Sequence, residues 1–253
     1  MEAILERIER DGGAAQVRRL WMPPEDPAAF AVLSGMRFPL VEELVLPSAF
    51  VLGGPGRETW LREMPRLRRV TFGFTMADDG LIAAMAALPW WRQLTFLDAK
   101  FGQLQKTGGL GALWEGTALE ELRLCYPGAA DARCLLGFPF ARLRLLALCG
   151  ETGDAFLEGL AGASLPFLED LDVRATSVSA AGVRAFVAAP RAGLPRLRRM
   201  GIAFASDREE PYHDWNGALV GSGYEPMTSG ELEGAFFAGS SLRLMPEIER
   251  WPK

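Results

Sequence analysis

The chain has 253 residues, 49% hydrophobic and 23% charged, with three cysteines and a net charge of -5 at pH 7. The apolar fraction supplies a sizeable core, while the acidic balance gives no electrostatic reason to expect nucleic-acid binding. Three cysteines are too few for a disulfide scaffold, and no apolar run is long enough to cross a bilayer.

The opening MEAILERIER carries acids and no apolar stretch of signal-peptide length. The expectation is therefore a cytoplasmic chain without membrane association. Lys100, Lys106 and Lys253 are the only lysines; the preference for arginine reads as a compositional habit of the source, such as a GC-rich bacterium.

Residues 1–13 can form an amphipathic helix with Ile4, Leu5 and Ile8 on one side, suited to an N-terminal cap over 1–16. An apolar pattern of two skipped residues and then one follows. Its copies are Val17, Leu20, Met22; Val41, Leu44, Leu46; Leu67, Val70, Phe72; Leu119, Leu122, Leu124; Leu143, Leu146, Leu148; Leu168, Leu171, Val173; and Leu197, Met200, Ile202. Between the third and the next lies a less regular copy. Leu94, Leu97, Ala99 fits, and Trp91, Leu94, Phe96 is an alternative register. Starts fall 24 to 29 residues apart.

The end of each copy alternates and reads as a short strand. One such strand cannot bury its apolar side alone, so the copies must stack as a parallel sheet. Phe38-Pro39, Met64-Pro65, Leu88-Pro89, Leu165-Pro166 and Leu194-Pro195 precede several copies, and proline there ends a helix and returns the chain to the next strand.

Connecting segments have helical character at 78–88, 154–160 and 179–187, with Asp78 or Asp79, Asp154 and Ser179 as candidate N-caps. Leu81, Met85 and Leu88 share one helical face. Trp60, Trp90 and Trp91 precede strands and read as core wedges, and Trp114 should pack on the fifth repeat. After Ala205 the pattern stops. Residues 206–253, polar and rich in turn residues, suit a C-terminal cap, with Leu242-Arg243-Leu244-Met245 as a degenerate ninth strand. Its Tyr212, Trp215, Tyr224, Phe236 and Phe237 would alternatively suit a partner-binding appendage.

This pattern resembles the leucine-rich-repeat family over residues 17–205. The stretch LEDLDVRATSVSAAGVRAFV, Leu168 to Val187, is similar to the helix-containing, ribonuclease-inhibitor-like subclass common in bacterial proteins. The resemblance implies an α/β solenoid as one domain over 1–253. A curved parallel sheet of about eight strands would line its concave side, with helices on its convex side. The chain departs from the family three positions after the last motif residue, where Asn or Cys is usual: Thr75 and Thr176 stand there, and Ala49, Pro127 and Glu151 in other repeats. Without an asparagine ladder those turns must satisfy their backbone groups otherwise. Family members mostly bind proteins, which implies a protein or peptide partner without naming one.

Reactive constellations are few. His213 is the sole histidine, so a multi-histidine metal site is excluded, and no C-x-x-C pair suggests zinc. Gly53-Gly54-Pro55-Gly56 lacks the lysine of a phosphate loop, and Gly221-Ser222-Gly223 is not a nucleophile elbow. The expectation is no enzyme, no metal and no cofactor. An enzyme centred on His213 and Asp214 is one alternative, and a self-assembling structural protein is another.

Strand alternation points one set of residues away from the core: Trp21, Glu43, Val45, Arg69, Thr71, Asp98 and Lys100, then Glu121, Arg123, Asp170, Asp172, Arg174 and Arg199. This concave face is the expected partner-binding surface. Charge alternates between copies, from Arg18-Arg19 to Glu42-Glu43 to Arg68-Arg69, and from Glu120-Glu121 through Arg144 and Glu169-Asp170 to Arg198-Arg199. Ion pairing between neighbouring strands would follow, as would a mixed-charge recognition surface. Cys125 and Cys149 hold equivalent places and should lie side by side, as tolerated small residues or as a redox pair; Cys134 reads as core. A monomer is expected in the absence of the partner.

Overall fold

A computed structural model describes residues 13–21, 35–48, 62–76, 86–102, 118–125, 135–138, 140–150, 152–204 and 227–245. These fall into two compact units, one drawn from Met1–Gly102 and Gly108–Leu119, the other from Gln103–Thr107 and Glu120–Lys253. Residues 1–12 of the helix expected over 1–13, the 78–85 segment, Met22, Trp60, Trp114, Cys134, His213 and the aromatic residues of 212–224 lie outside the described residues.

In the first unit four strands pair in chain order, all parallel: β1 (Arg19–Trp21), β2 (Glu43–Ser48), β3 (Arg69–Met76) and β4 (Phe96–Gly102). In the second unit five do the same: β5 (Glu121–Cys125), β6 (Leu145–Gly150), β7 (Asp170–Thr176), β8 (Arg199–Gly201) and β9 (Arg243–Leu244). Each unit is thus a repeat-like parallel sheet with short strands, compatible with a solenoid. β9 falls in the stretch read as a degenerate ninth strand.

Register follows the apolar pattern. Leu20, Leu44, Val70 and Leu97 are opposite one another across β1–β4. Leu122, Leu146, Leu171, Met200 and Leu244 do the same across β5–β9. All but Leu244 in these rows are buried. A one-residue slip would turn a whole row to water, so burial of these rows specifies the register. Removing a leucine of this kind from water is worth roughly 1.5–3 kcal/mol.

A second recurrent device precedes six of the strands, β2–β4 and β6–β8. The carbonyl of Arg18 accepts from both Glu42 and Glu43 N–H, that of Glu42 from Arg68 and Arg69, and that of Arg68 from Thr95 and Phe96. Glu120, Arg144 and Glu169 repeat the arrangement toward Arg144–Leu145, Glu169–Asp170 and Arg198–Arg199. One backbone carbonyl per repeat therefore holds the entry to the next strand.

The prolines act in turns. Val41 N–H donates to Phe38 C=O, Leu67 to Met64, Leu168 to Leu165 and Leu197 to Leu194. Each turn puts an exposed proline second, where its fixed φ is already suitable. The fourth repeat explains its own ambiguity. Trp91 N–H closes the equivalent turn on Leu88, but Trp91–Gln93 then adds a 3₁₀ turn before Leu94. The strand register is that of Leu94, Leu97 and Ala99, since Leu97 faces Val70 and Ala99 faces Phe72. Trp90 and Trp91 are core residues, with ring centroids 6.0 Å apart.

In the second unit, α1 (Asp154–Ala161) buries Phe156, Leu157 and Leu160, and α2 (Ala180–Ala188) buries Ala180, Val183 and Phe186. Ser179 is the N-cap of α2, its Oγ accepting from Gly182 N–H. Asp154, in contrast, is not the cap of α1. Gly153 holds that place, at φ 67 where a glycine is unstrained. The Asp154 carboxylate is used by the next repeat, accepting from Ser179 N–H at 2.7 Å and Ser179 Oγ–H at 2.6 Å. Arg191 Nη1 donates to the carbonyls of Phe186, Val187 and Ala189 and so closes the C-terminal end of α2.

Further along the chain, Thr228 and Glu231 form a reciprocal capping box on the short α3 (Ser229–Leu232). A π-helical turn over Glu233–Phe237 follows and buries Phe236 and Phe237; Phe236 stacks on Phe204 with centroids 5.0 Å apart. Glu233 accepts from Leu244 N–H at 2.6 Å, occupying a donor of β9. An unpaired strand donor invites another chain, and a carboxylate there blocks it.

Candidate binding surface

The outward residues of the strands form rows because the strands pair in register. In the first unit one row runs Arg19, Glu43, Arg69, Phe96 and the next Trp21, Val45, Thr71, Asp98. Arg19 Nη2 lies 2.8 Å from Glu43 Oε1, and beside it Arg18 Nη1 lies 3.0 Å from Glu42. Arg69 places its guanidinium 4.0 Å over the Phe96 ring, an attraction between cation and ring quadrupole. Trp21 is 74% exposed, next to half-buried Val45 and Thr71. Asp98, expected to point to a partner, is 2% exposed. Lys100 stands on β4, opposite Phe74.

In the second unit the first row runs Glu121, Leu145, Asp170, Arg199, Arg243 and the next Arg123, Ala147, Asp172, Gly201. Asp170 and Asp172 are again buried, and each holds a guanidinium through two hydrogen bonds. Arg199 reaches across from β8 to Asp170 at 2.5 and 2.6 Å. Arg174 folds back on Asp172 at 3.0 and 2.6 Å. Two residues apart on one strand, the pair shares a face, and Asp172 also accepts from Arg174 N–H. Gly201 leaves the room they need, because a Cβ on it would stand 2.7 Å from Asp172 Oδ1 and 3.0 Å from Arg174 Nε. Two bidentate pairs in partly dry surroundings are strong internal contacts. They draw Asp170 and Asp172 out of the set of groups free to meet a partner.

β6 is apolar on both sides. Its outward Leu145 is half-buried, and Ala147 and Cys149 are buried. The continuous run Leu145-Leu146-Ala147-Leu148-Cys149 was legible as a strand covered on both faces, yet a reading built on alternation passes over it. Cys125 and Cys149 do face each other across β5 and β6, as buried thiols.

Outside the strands, Arg144 and Arg198 both reach Glu169, at 3.3 and 2.5 Å. The hydrogen bond from Arg144, with the charges of Arg144 and Arg198, holds the Glu169 carboxyl below its ordinary value. Several of the alternating charges thus pair between adjacent repeats: Arg18–Glu42 and Arg19–Glu43 in the first unit, and Arg144–Glu169, Arg198–Glu169 and Arg199–Asp170 in the second. Among the described residues no group of three or more His, Cys, Asp or Glu could hold a metal ion, and no helix is long and apolar enough to cross a membrane. No protein-family model matches this sequence, and no curated protein matches it.

Proposed function

We propose that the chain is a non-catalytic leucine-rich-repeat protein that binds a protein or peptide partner on the open face of its parallel strands. Three features support the repeat identity: apolar positions aligned row by row, a recurring apolar-Pro-x-apolar turn before the strand, and one carbonyl per repeat receiving the next. The observation that carries the binding reading is Trp21, a large indole left mostly in water on the outward side of a strand. Covering apolar surface returns about 25 cal/mol per Å², and an exposed tryptophan is a typical interface anchor.

The test is affinity capture from the organism encoding the chain, followed by titration of the captured partner against purified variants. Trp21→Ala and Thr71→Lys should each weaken binding by about tenfold or more, with an unchanged melting temperature. Equal affinity of both variants and wild type would move the site off this face. Arg69 and Asp172 are poor probes, because the first covers Phe96 and the second holds Arg174.

A further inference from the structure

A second surface lies at the entry to the strands of the second unit. Leu143, Leu168 and Leu197 are buried there, and the residues flanking them face water except for Glu169, which is half-buried. Repeat stacking sets these flanking residues in two rows. One is Arg142, Phe167, Arg196; the other is Glu120, Arg144, Glu169, Arg198. The stacking is fixed by Glu169 N–H on Arg144 C=O and Arg198 N–H on Glu169 C=O, and Arg196 lies 4.7 Å over the Phe167 ring.

The two rows differ in charge. The second alternates in sign, and Glu169 satisfies both of its arginines. The first carries two exposed guanidiniums on either side of an aromatic ring and holds no carboxylate. Neither Arg142 nor Arg196 has an ion pair among the described residues. Phe167 is 38% exposed; with Trp21 it makes up the exposed large hydrophobic residues among those described. Two strand spacings of about 4.8 Å put the guanidiniums roughly 10 Å apart.

We propose that this rim binds an acidic segment of a protein partner, with two carboxylates about 10 Å apart and an apolar residue between them. Arg142 and Arg196 each donate to one carboxylate in the forked geometry that suits a guanidinium. The apolar residue covers Phe167. A nucleic acid fits poorly: two guanidiniums meet few phosphates, and a chain of net charge -5 repels a long polyanion beyond the patch. The rim is separate from the open strand face and does not depend on that reading.

The experiment uses the full chain and three labelled probes at low salt. One is an unstructured decapeptide with two glutamates flanking leucine, the three at alternate positions so that an extended chain turns them to one side. The second is the same peptide with glutamine at both places, and the third a single-stranded 12-mer oligonucleotide. The glutamate peptide should bind about tenfold tighter than either other probe and lose affinity as salt rises. Arg142→Gln and Arg196→Gln should each reduce its affinity about fivefold or more, whereas Trp21→Ala should not. Circular dichroism checks that both exposed-site variants fold, and 0.5 M salt added to the wild type gives a readout without any variant. Equal binding of the glutamine peptide, tighter binding of the oligonucleotide, or no effect of either arginine variant would overturn the proposal, as would absence of binding. A loss with Trp21→Ala alone would transfer the contact to the open face.

Discussion

Thr176 shows how one side chain replaces a missing motif residue. It stands where the resembled family places Asn or Cys, and it is buried as the last residue of β7. Its Oγ–H donates to Val173 C=O at 2.7 Å, and its oxygen accepts from Val178 N–H at 3.4 Å. A hydroxyl can do both at once, which is what the turn requires of an asparagine amide. Nearby, Ser177 Oγ accepts from Gly153 N–H of the preceding repeat. Thr176→Val keeps the volume and deletes the hydroxyl, so two buried backbone groups lose a partner. The expected loss is about 1–3 kcal/mol, read as a lower denaturant midpoint at unchanged slope, while Thr176→Asn should lose less. An unchanged midpoint in the valine variant would show that the turn does not need the hydroxyl.

At the scale of the element, strand entry combines a proline turn, a shared carbonyl and an ion pair. The proline stiffens the unfolded chain as well as shaping the turn. The three-residue 3₁₀ insertion at Trp91–Gln93 shows that the turn and the strand register can be uncoupled without loss of pairing. The ion pairs add pH dependence. Glu169 titrates below its ordinary value of 4.5, foremost because Arg144 donates to its charged form. A carboxyl depressed in the folded state contributes stability that is full above the unfolded value and is lost as pH falls through the folded one. The wild type should therefore lose melting temperature below about pH 4.5, and Glu169→Gln should flatten that acid limb while changing little of its slope above pH 6. An identical acid limb in the two proteins would place the dependence on other carboxylates.

At the scale of the whole molecule, each strand rests on its neighbours, since no repeat has a core of its own. Stability of such an array is close to a sum of repeat and nearest-neighbour terms. Leu171, wholly buried between Leu146 and Met200, is a direct probe. Leu171→Ala should cost about 2–5 kcal/mol, and hydrogen exchange should show the loss of protection concentrated in β6, β7 and β8. Loss of protection spread equally over β1–β4 would contradict nearest-neighbour stability.

Residue spacing alone determined the strands, their parallel order and the inward rows, because a short apolar strand recurring every 24 to 29 residues has to be covered by the next one. It also determined the charge alternation, since pairing follows once the register is known. Side-chain alternation identifies which residues leave the core but not what they meet on the other side. Only the folded arrangement decided that Asp98, Asp170 and Asp172 are buried, that Asp154 serves Ser179 and not its own helix, and that Arg142, Phe167 and Arg196 share a rim. Those outcomes depend on the absent side chain of Gly201 and on turns stacked across repeats. Each is a contact between residues far apart in the chain, where local periodicity carries no signal.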